Sequence, residues 1–250
     1  MATPPPQYPA GPTGAKLDTA DAFDRIFALY RTQFAVLMGT ALVIFVPIGI
    51  LSGIVASSGS VFLAFLALGL SLIGSALYTG AVVEAVNDMR DGRRDFSVGN
   101  LLQAASPFII PLIAAGFLYG VMVVVGLILI IVPGLVFLTW FCLYPPAIVI
   151  EKRGIFPAFT RSRELVSGNG WRVFGVLVVA VLIQSVLQNL LQRIALNASD
   201  SAVVFTIVTT IASVITAPII SLAVSVMYFQ LRDLKEGTQG LYAPVPPPQV

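Results

Sequence analysis

Residues 96–150 form a run of fifty-five without one Asp, Glu, Lys, Arg or His. A helix crossing the hydrocarbon core of a bilayer needs about 20 apolar residues, so this run is too long for one crossing and reads as a membrane hairpin. The same alternation of long apolar and short charged stretches continues along the chain. It predicts six spans, at residues 34–56, 61–86, 107–130, 131–150, 173–195 and 203–230. Backbone polar groups in lipid must be satisfied within the segment, so the expected fold class is all-α, a polytopic transmembrane helical bundle. The third and fourth spans meet at Val132-Pro133-Gly134. The proline has no amide hydrogen to donate and the glycine tolerates unusual dihedrals, which fits a tight reversal, with one bent helix as the alternative.

Three shorter stretches carry a different pattern. At 19–32, Phe23, Ile26, Phe27 and Tyr30, followed by Phe34, fall at helical spacing, with Asp21, Asp24, Arg25 and Arg31 between them. That is the signature of an amphipathic helix at a membrane interface. A weaker stretch lies at 97–105. A third surrounds Pro157, carries Phe156, Phe159, Leu165 and Val166 with Arg161, Arg163 and Glu164, and ends at Gly168. Each precedes a pair of spans, so three helix-plus-hairpin units in tandem are expected, with the amphipathic helices on the cytoplasmic side.

Charge gives the direction. With the N-terminus inside, the cytoplasmic segments hold Lys16, Arg25, Arg31, Arg90, Arg93, Arg94, Lys152, Arg153, Arg161, Arg163, Arg172, Arg232 and Lys235, and the outside holds only Arg193. Removing or adding a span would destroy this bias, which supports both the span count and cytoplasmic N- and C-termini. The Pro-rich segments 1–16 and 237–250 read as disordered cytoplasmic tails around a six-span membrane domain at 17–236. The first of them lacks the basic start and apolar stretch of a signal peptide.

Composition narrows the chemistry. The chain is 57% hydrophobic and 10% charged, with a mean hydropathy of +0.93, far from the soluble balance of about one quarter charged. A net charge of +2 is too small to suggest a nucleic-acid partner. Cys142 is the only cysteine, which excludes an intramolecular disulfide or a thiolate cluster. The absence of histidine removes His-dependent triads, the common zinc sites and histidine proton relays. No catalytic residue, metal or cofactor is expected, and the chain reads as no enzyme.

Several polar patterns remain as candidate sites. In the fifth span Gln184, Gln188 and Gln192 recur every fourth residue beside Ser185, Asn189 and Arg193. This intramembrane polar stripe packs against another helix, lines a wet cavity, or marks where the helix leaves the hydrocarbon. In the sixth span Thr209, Ser213, Ala217, Ser221 and Ser225 make a seam of small residues that lets a neighbouring backbone approach. Ala67, Ser71, Ser75 and Thr79 make a comparable row in the second, and both rows are expected to face protein. Glu84, near the end of the second span, reads as an interfacial residue paired with a basic neighbour, or else as a substrate or proton site. The turn from Asn87 to Asp95 alternates charges and reads as a solvated connector. The loop at 151–172 is the largest charged element, and its Arg161, Arg163, Trp171 and Arg172 are candidates for contact with anionic lipid headgroups or a cytoplasmic protein partner.

These residues also carry a resemblance. Tyr144-Pro145-Pro146-Ala147-Ile148-Val149-Ile150-Glu151 is followed by Gly154, Ala158, Arg161-Ser162, Leu165-Val166, Gly168 and Trp171-Arg172. With Asp24-Arg25, Tyr30-Arg31, Gly92-Arg93-Arg94 and Pro133-Gly134, this resembles bacterial integral membrane proteins sharing the glycerophosphoryl diester phosphodiesterase membrane domain. Arg163 and Glu164 depart from it, standing where an aromatic followed by a basic residue is expected. The resemblance implies a membrane architecture, in a bacterial plasma (inner) membrane. It does not bring the phosphodiesterase activity, which belongs to a separate histidine-containing, metal-assisted barrel. The expected role is non-catalytic membrane or lipid organisation, with membrane lipids as partners. The alternative is a permease-type subunit coupled to a cytoplasmic ATPase through the 151–172 helix. The sequence fixes no oligomeric state.

Overall fold

A computed structural model describes residues 16–90, 97–198 and 201–236. Among them the chain is helical: α1 (Thr19–Thr32), α2 (Phe34–Ser58), α3 (Val61–Arg90), α4 (Val98–Ala105), α5 (Ile109–Leu129), α6 (Ile131–Phe141), α7 (Tyr144–Val149), α8 (Ile155–Val166), α9 (Gly170–Ala198) and α10 (Ala202–Glu236). Six segments are long and apolar enough to cross a membrane: Phe34–Val55, Val61–Arg90, Val98–Leu129, Ile131–Val149, Gly170–Asn197 and Val203–Glu236. The order short helix, long helix, long segment occurs three times, beginning at α1, α4 and α8. Apart from Lys16, the two predicted tails lie outside the described residues, as do positions 91–95 of the predicted connector.

The short helices start where side chains satisfy their free amides. Asp18 caps α1 by accepting from the Ala20 and Asp21 amides at 2.9 and 3.4 Å. Ser97 caps α4 through the Asn100 amide at 3.2 Å. Each short helix turns its apolar side onto the bundle. Ala22 and Ile26 of α1, Leu101 and Ala105 of α4, and Phe159, Leu165 and Val166 of α8 are buried against other helices.

The reversal between α5 and α6 is made by one extended residue, Ile130, at φ −156° and ψ 133°. It is a hairpin, and the break falls before Pro133 instead of at it. Pro133 becomes the third residue of α6, where its missing N–H costs nothing. Gly134 packs directly on Gly126, and a Cβ built on Gly126 would stand 2.8 Å from the Gly134 Cα. The fourth span, expected as one helix over 131–150, is divided into α6 and α7 at Cys142–Leu143. Pro145 and Pro146 cause the division, because neither can donate to the carbonyl four residues earlier and each ring crowds it. Ser162 of α8 repairs the gap. Its fully buried hydroxyl accepts from the Leu143 amide at 3.0 Å and donates to the Trp140 carbonyl at 2.8 Å.

The largest fully buried side chains include Tyr78, Tyr228, Phe229, Leu143 and Leu165, and they gather at one end of the bundle with α1, α7 and α8. At the other end Phe62, Phe65, Ile128 and Leu129 are exposed.

Candidate functional site

The turn between α8 and α9 organises the basic end. The Ser167 amide donates to the Arg163 carbonyl and the Asn169 amide to that of Val166, both at 2.9 Å. Gly168 adopts φ 84° between them, a left-handed conformation natural to glycine at a helix end. Buried Asn169 then accepts from the Leu17 amide at 3.0 Å, and Arg172 Nη1 donates to the Leu17 carbonyl at 2.7 Å. This clip holds the segment entering α1 and sets Lys16 beside Arg172.

Lys16 and Arg172 stand at a cavity of about 640 Å³. One wall is α6, through Val132, Leu135, Val136, Thr139 and Trp140, and the other runs from Gly168 to Phe174, with Trp171 among its residues. Thr139 is effectively apolar here, because its hydroxyl donates to the Leu135 carbonyl at 2.8 Å. Trp171 is 87% exposed. The Arg163 guanidinium lies 4.6 Å over the Trp140 ring, a cation–π contact that fixes a further positive charge next to the cavity. None of the cavity's described lining residues is acidic.

Of the four predicted loop residues, Arg163, Trp171 and Arg172 therefore converge on one place, whereas Arg161 is tied into a neighbouring ion-pair network. Its Nε donates to Glu151 Oε1 at 2.7 Å, and its Nη2 pairs with Glu236 of α10. The Tyr228 hydroxyl donates to the same Glu151 oxygen at 2.7 Å. Burial would raise the Glu151 carboxyl, but the hydrogen bonds of Tyr228 and Arg161, the Arg161 charge and the Arg153 hydrogen bond hold it below the ordinary carboxylate value. Burial likewise works against the Arg161 charge, and the bonds and charges of Glu151 and Glu236 outweigh it and raise that group. A second pair fixes α3 to α10: Arg90 Nη2 donates to both Asp233 oxygens at 2.8 and 3.0 Å, with its guanidinium 4.3 Å over Phe229.

The glutamine stripe faces α10. Gln188 Oε1 accepts from the Thr216 hydroxyl at 3.0 Å. Gln184 Oε1 is buried with no hydrogen-bond partner among the described residues. Gln192 is half-buried, and Asn189 is exposed, its amide donating to the Ser185 carbonyl at 2.8 Å. In the α10 seam, Ser221 and Ser225 are buried and Thr209, Ser213 and Ala217 are half-buried. Its hydroxyls bond back along their own helix, Ser213 to the Thr209 carbonyl at 2.9 Å and Ser225 to that of Ser221 at 2.7 Å. In the second row Ser75 is exposed, while Gly74 and Tyr78, one residue before and three after it, are buried. The row thus faces protein only in part. Glu84 is half-buried near the Arg90 end of α3.

Lys16, Trp140, Asn169 and Ser162 were not singled out as site residues by the sequence. Lys16 counted there only toward orientation, and no spacing rule joins it to a turn some 150 positions later.

An all-helical bundle with six span-capable segments and a basic end capped by short helices belongs to the polytopic membrane proteins. Within that class, the chain is a member of the uncharacterised protein family UPF0259, whose profile matches residues 56–223. It is 31% identical over 99 residues to a UPF0259 membrane protein of Pectobacterium carotovorum subsp. carotovorum, strain PC1, an alignment covering 40% of this chain and 39% of the relative. The match therefore spans about two fifths of that relative's length. No solved structure matches. The family found is thus one of bacterial membrane proteins, under a label other than the phosphodiesterase-associated domain that the motifs resemble.

Proposed function

We propose that this protein is a non-catalytic component of the bacterial inner membrane that binds anionic lipid headgroups at its basic end and so organises lipid around itself. In this reading the basic end faces the cytoplasm, as the distribution of lysine and arginine favours. The observation that carries it is the convergence of Lys16, Arg163 and Arg172 with Trp140 and Trp171 around one cavity whose described lining contains no carboxylate. Tryptophan suits the headgroup level because its ring is apolar and its N–H polar. Each basic residue near an anionic surface contributes about 1 kcal/mol.

Native mass spectrometry of gently extracted protein tests the proposal. Wild type should retain phosphatidylglycerol or cardiolipin in preference to phosphatidylethanolamine. Replacing Lys16 and Arg163 with Gln, which spares the Arg172 clip, should cut that preference by about tenfold or more. Equal retention of anionic and zwitterionic lipid by the wild type would refute it.

A further inference from the structure

We infer that the cavity between α6 and the start of α9 is a binding site for one anionic phospholipid, with its phosphate at Lys16 and Arg172 and one acyl chain lying along Val132, Leu135 and Val136. The inference rests on the headgroup reading and adds the chain. A charged surface alone would need only the rim. This cavity has two chemically different parts: a cationic rim at Lys16 and Arg172, and an apolar wall built by α6. From Val132 to Trp140 that wall is about 12 Å long at 1.5 Å per helical residue, enough to hold part of a chain. The volume of about 640 Å³ falls among sites that hold single small molecules, roughly 300–1,000 Å³.

The rim retains donors for a phosphate. A guanidinium carries five N–H groups, and the Leu17 carbonyl takes one from Arg172. At the other end of the wall Val132 is 64% exposed, on an α5–α6 tip whose Ile130 and Ile131 are also open, so a chain can enter sideways from the bilayer. Positive charge at the rim with no described acidic lining selects an anionic amphiphile over a zwitterionic one. An apolar helix of a partner would find no counterpart for Lys16 and Arg172.

The chain's two tryptophans, Trp140 and Trp171, both line the cavity and report on it directly. In full-length protein carrying Trp171→Phe, reconstituted into phosphatidylcholine bilayers, Trp140 fluorescence is titrated with chain-brominated phosphatidylglycerol or chain-brominated phosphatidylcholine. The brominated anionic lipid should quench at a mole fraction at least about tenfold lower, two basic contacts together being worth roughly thirtyfold. Val132→Phe with Val136→Phe, which fills the wall, should abolish the difference, while phosphatidylglycerol retention in native mass spectrometry falls only in part. Lys16→Gln, outside every helix, should weaken both signals and guards against misfolding of the filled variant. Persistence of the tenfold difference in the filled variant would overturn the groove and leave headgroup binding standing. Equal quenching by the two lipids, with anionic retention intact, would do the same. Equal quenching without retention would end both readings. A Trp140 shielded from both lipids would mean that a second copy or another protein segment fills the groove, and would overturn the inference.

Discussion

At the scale of single residues, the basic end depends on polar groups whose partners are far away in sequence. Ser162 is the clearest case, since one hydroxyl satisfies two backbone groups left open by the proline-broken fourth span. Ser162→Ala removes both bonds inside a dry environment and should destabilise by about 1–3 kcal/mol, seen as a lower melting temperature in detergent. Thr160→Ala, which removes an exposed bond to the Phe156 carbonyl of its own helix, should change stability by less than about 0.5 kcal/mol and serves as the control. Glu151 gives a second test. Its carboxyl is held below the ordinary value in the folded state. Its stabilisation is thus complete above the unfolded carboxylate value of about 4.3 and is lost as pH falls through the lower folded value. Glu151→Gln should lower stability at neutral pH and flatten the acid limb of a melting-temperature profile. An acid limb of unchanged steepness would assign the linkage to other carboxylates.

At the scale of elements, much of the fold was legible because its causes are local. Apolar run length set the spans and Gly168 marks the end of a short helix, while the caps at Asp18 and Ser97 emerged from the structure. The division of α6 from α7 was readable in Pro145-Pro146, yet length and hydropathy alone favoured a single span. The repair by Ser162 was not readable, because it joins elements that only the tertiary fold brings together. The same limit hid the site. Its basic and aromatic residues were conspicuous in the loop, but Lys16 reaches them through the Asn169 and Arg172 clip on Leu17, which no periodicity encodes. The sequence drew attention to the α10 row of small residues at Thr209, Ser213, Ala217, Ser221 and Ser225, whereas the tight helix crossing lies on neighbouring positions of α10. Gly49 and Gly53 of α2 lie against Thr210 and Thr206 of α10. A Cβ on Gly49 would clash with Thr210, approaching its Cγ2 at 2.8 Å and its Cβ at 3.0 Å. Threonine is stiff at χ1, so the helices must separate. Gly49→Ala should therefore cost about 1–3 kcal/mol. Gly69→Ala in α3, with no described residue within 4 Å of the added carbon, should be neutral or stabilise by up to about 1 kcal/mol. Equal melting temperatures for the two variants would contradict the close α2–α10 crossing.

At the scale of the whole molecule, the bundle is built differently at its two ends, and the difference bears on how it sits in a membrane. Inside hydrocarbon, burying an apolar side chain against protein gains little, because lipid is as apolar as leucine. At the water boundary the hydrophobic effect operates again, and the largest buried side chains gather under the covers of α1 and α8, at the end we propose to meet the cytoplasm. Thirteen of its fourteen basic residues belong to the segments assigned to that side, and Arg193 to the other. This arrangement predicts that Lys152 and Ser201, both exposed, lie on opposite sides of the membrane. The native chain suits the measurement, since its only cysteine, Cys142, is buried and should stay unlabelled by an impermeant maleimide. Ser201→Cys should be labelled in intact spheroplasts, and Lys152→Cys only after the membrane is opened. The reverse pattern would put the cationic cavity on the outer face and away from the cytoplasmic leaflet. Labelling of both in intact cells would mean dual insertion, and the charge distribution would then have failed to orient the chain.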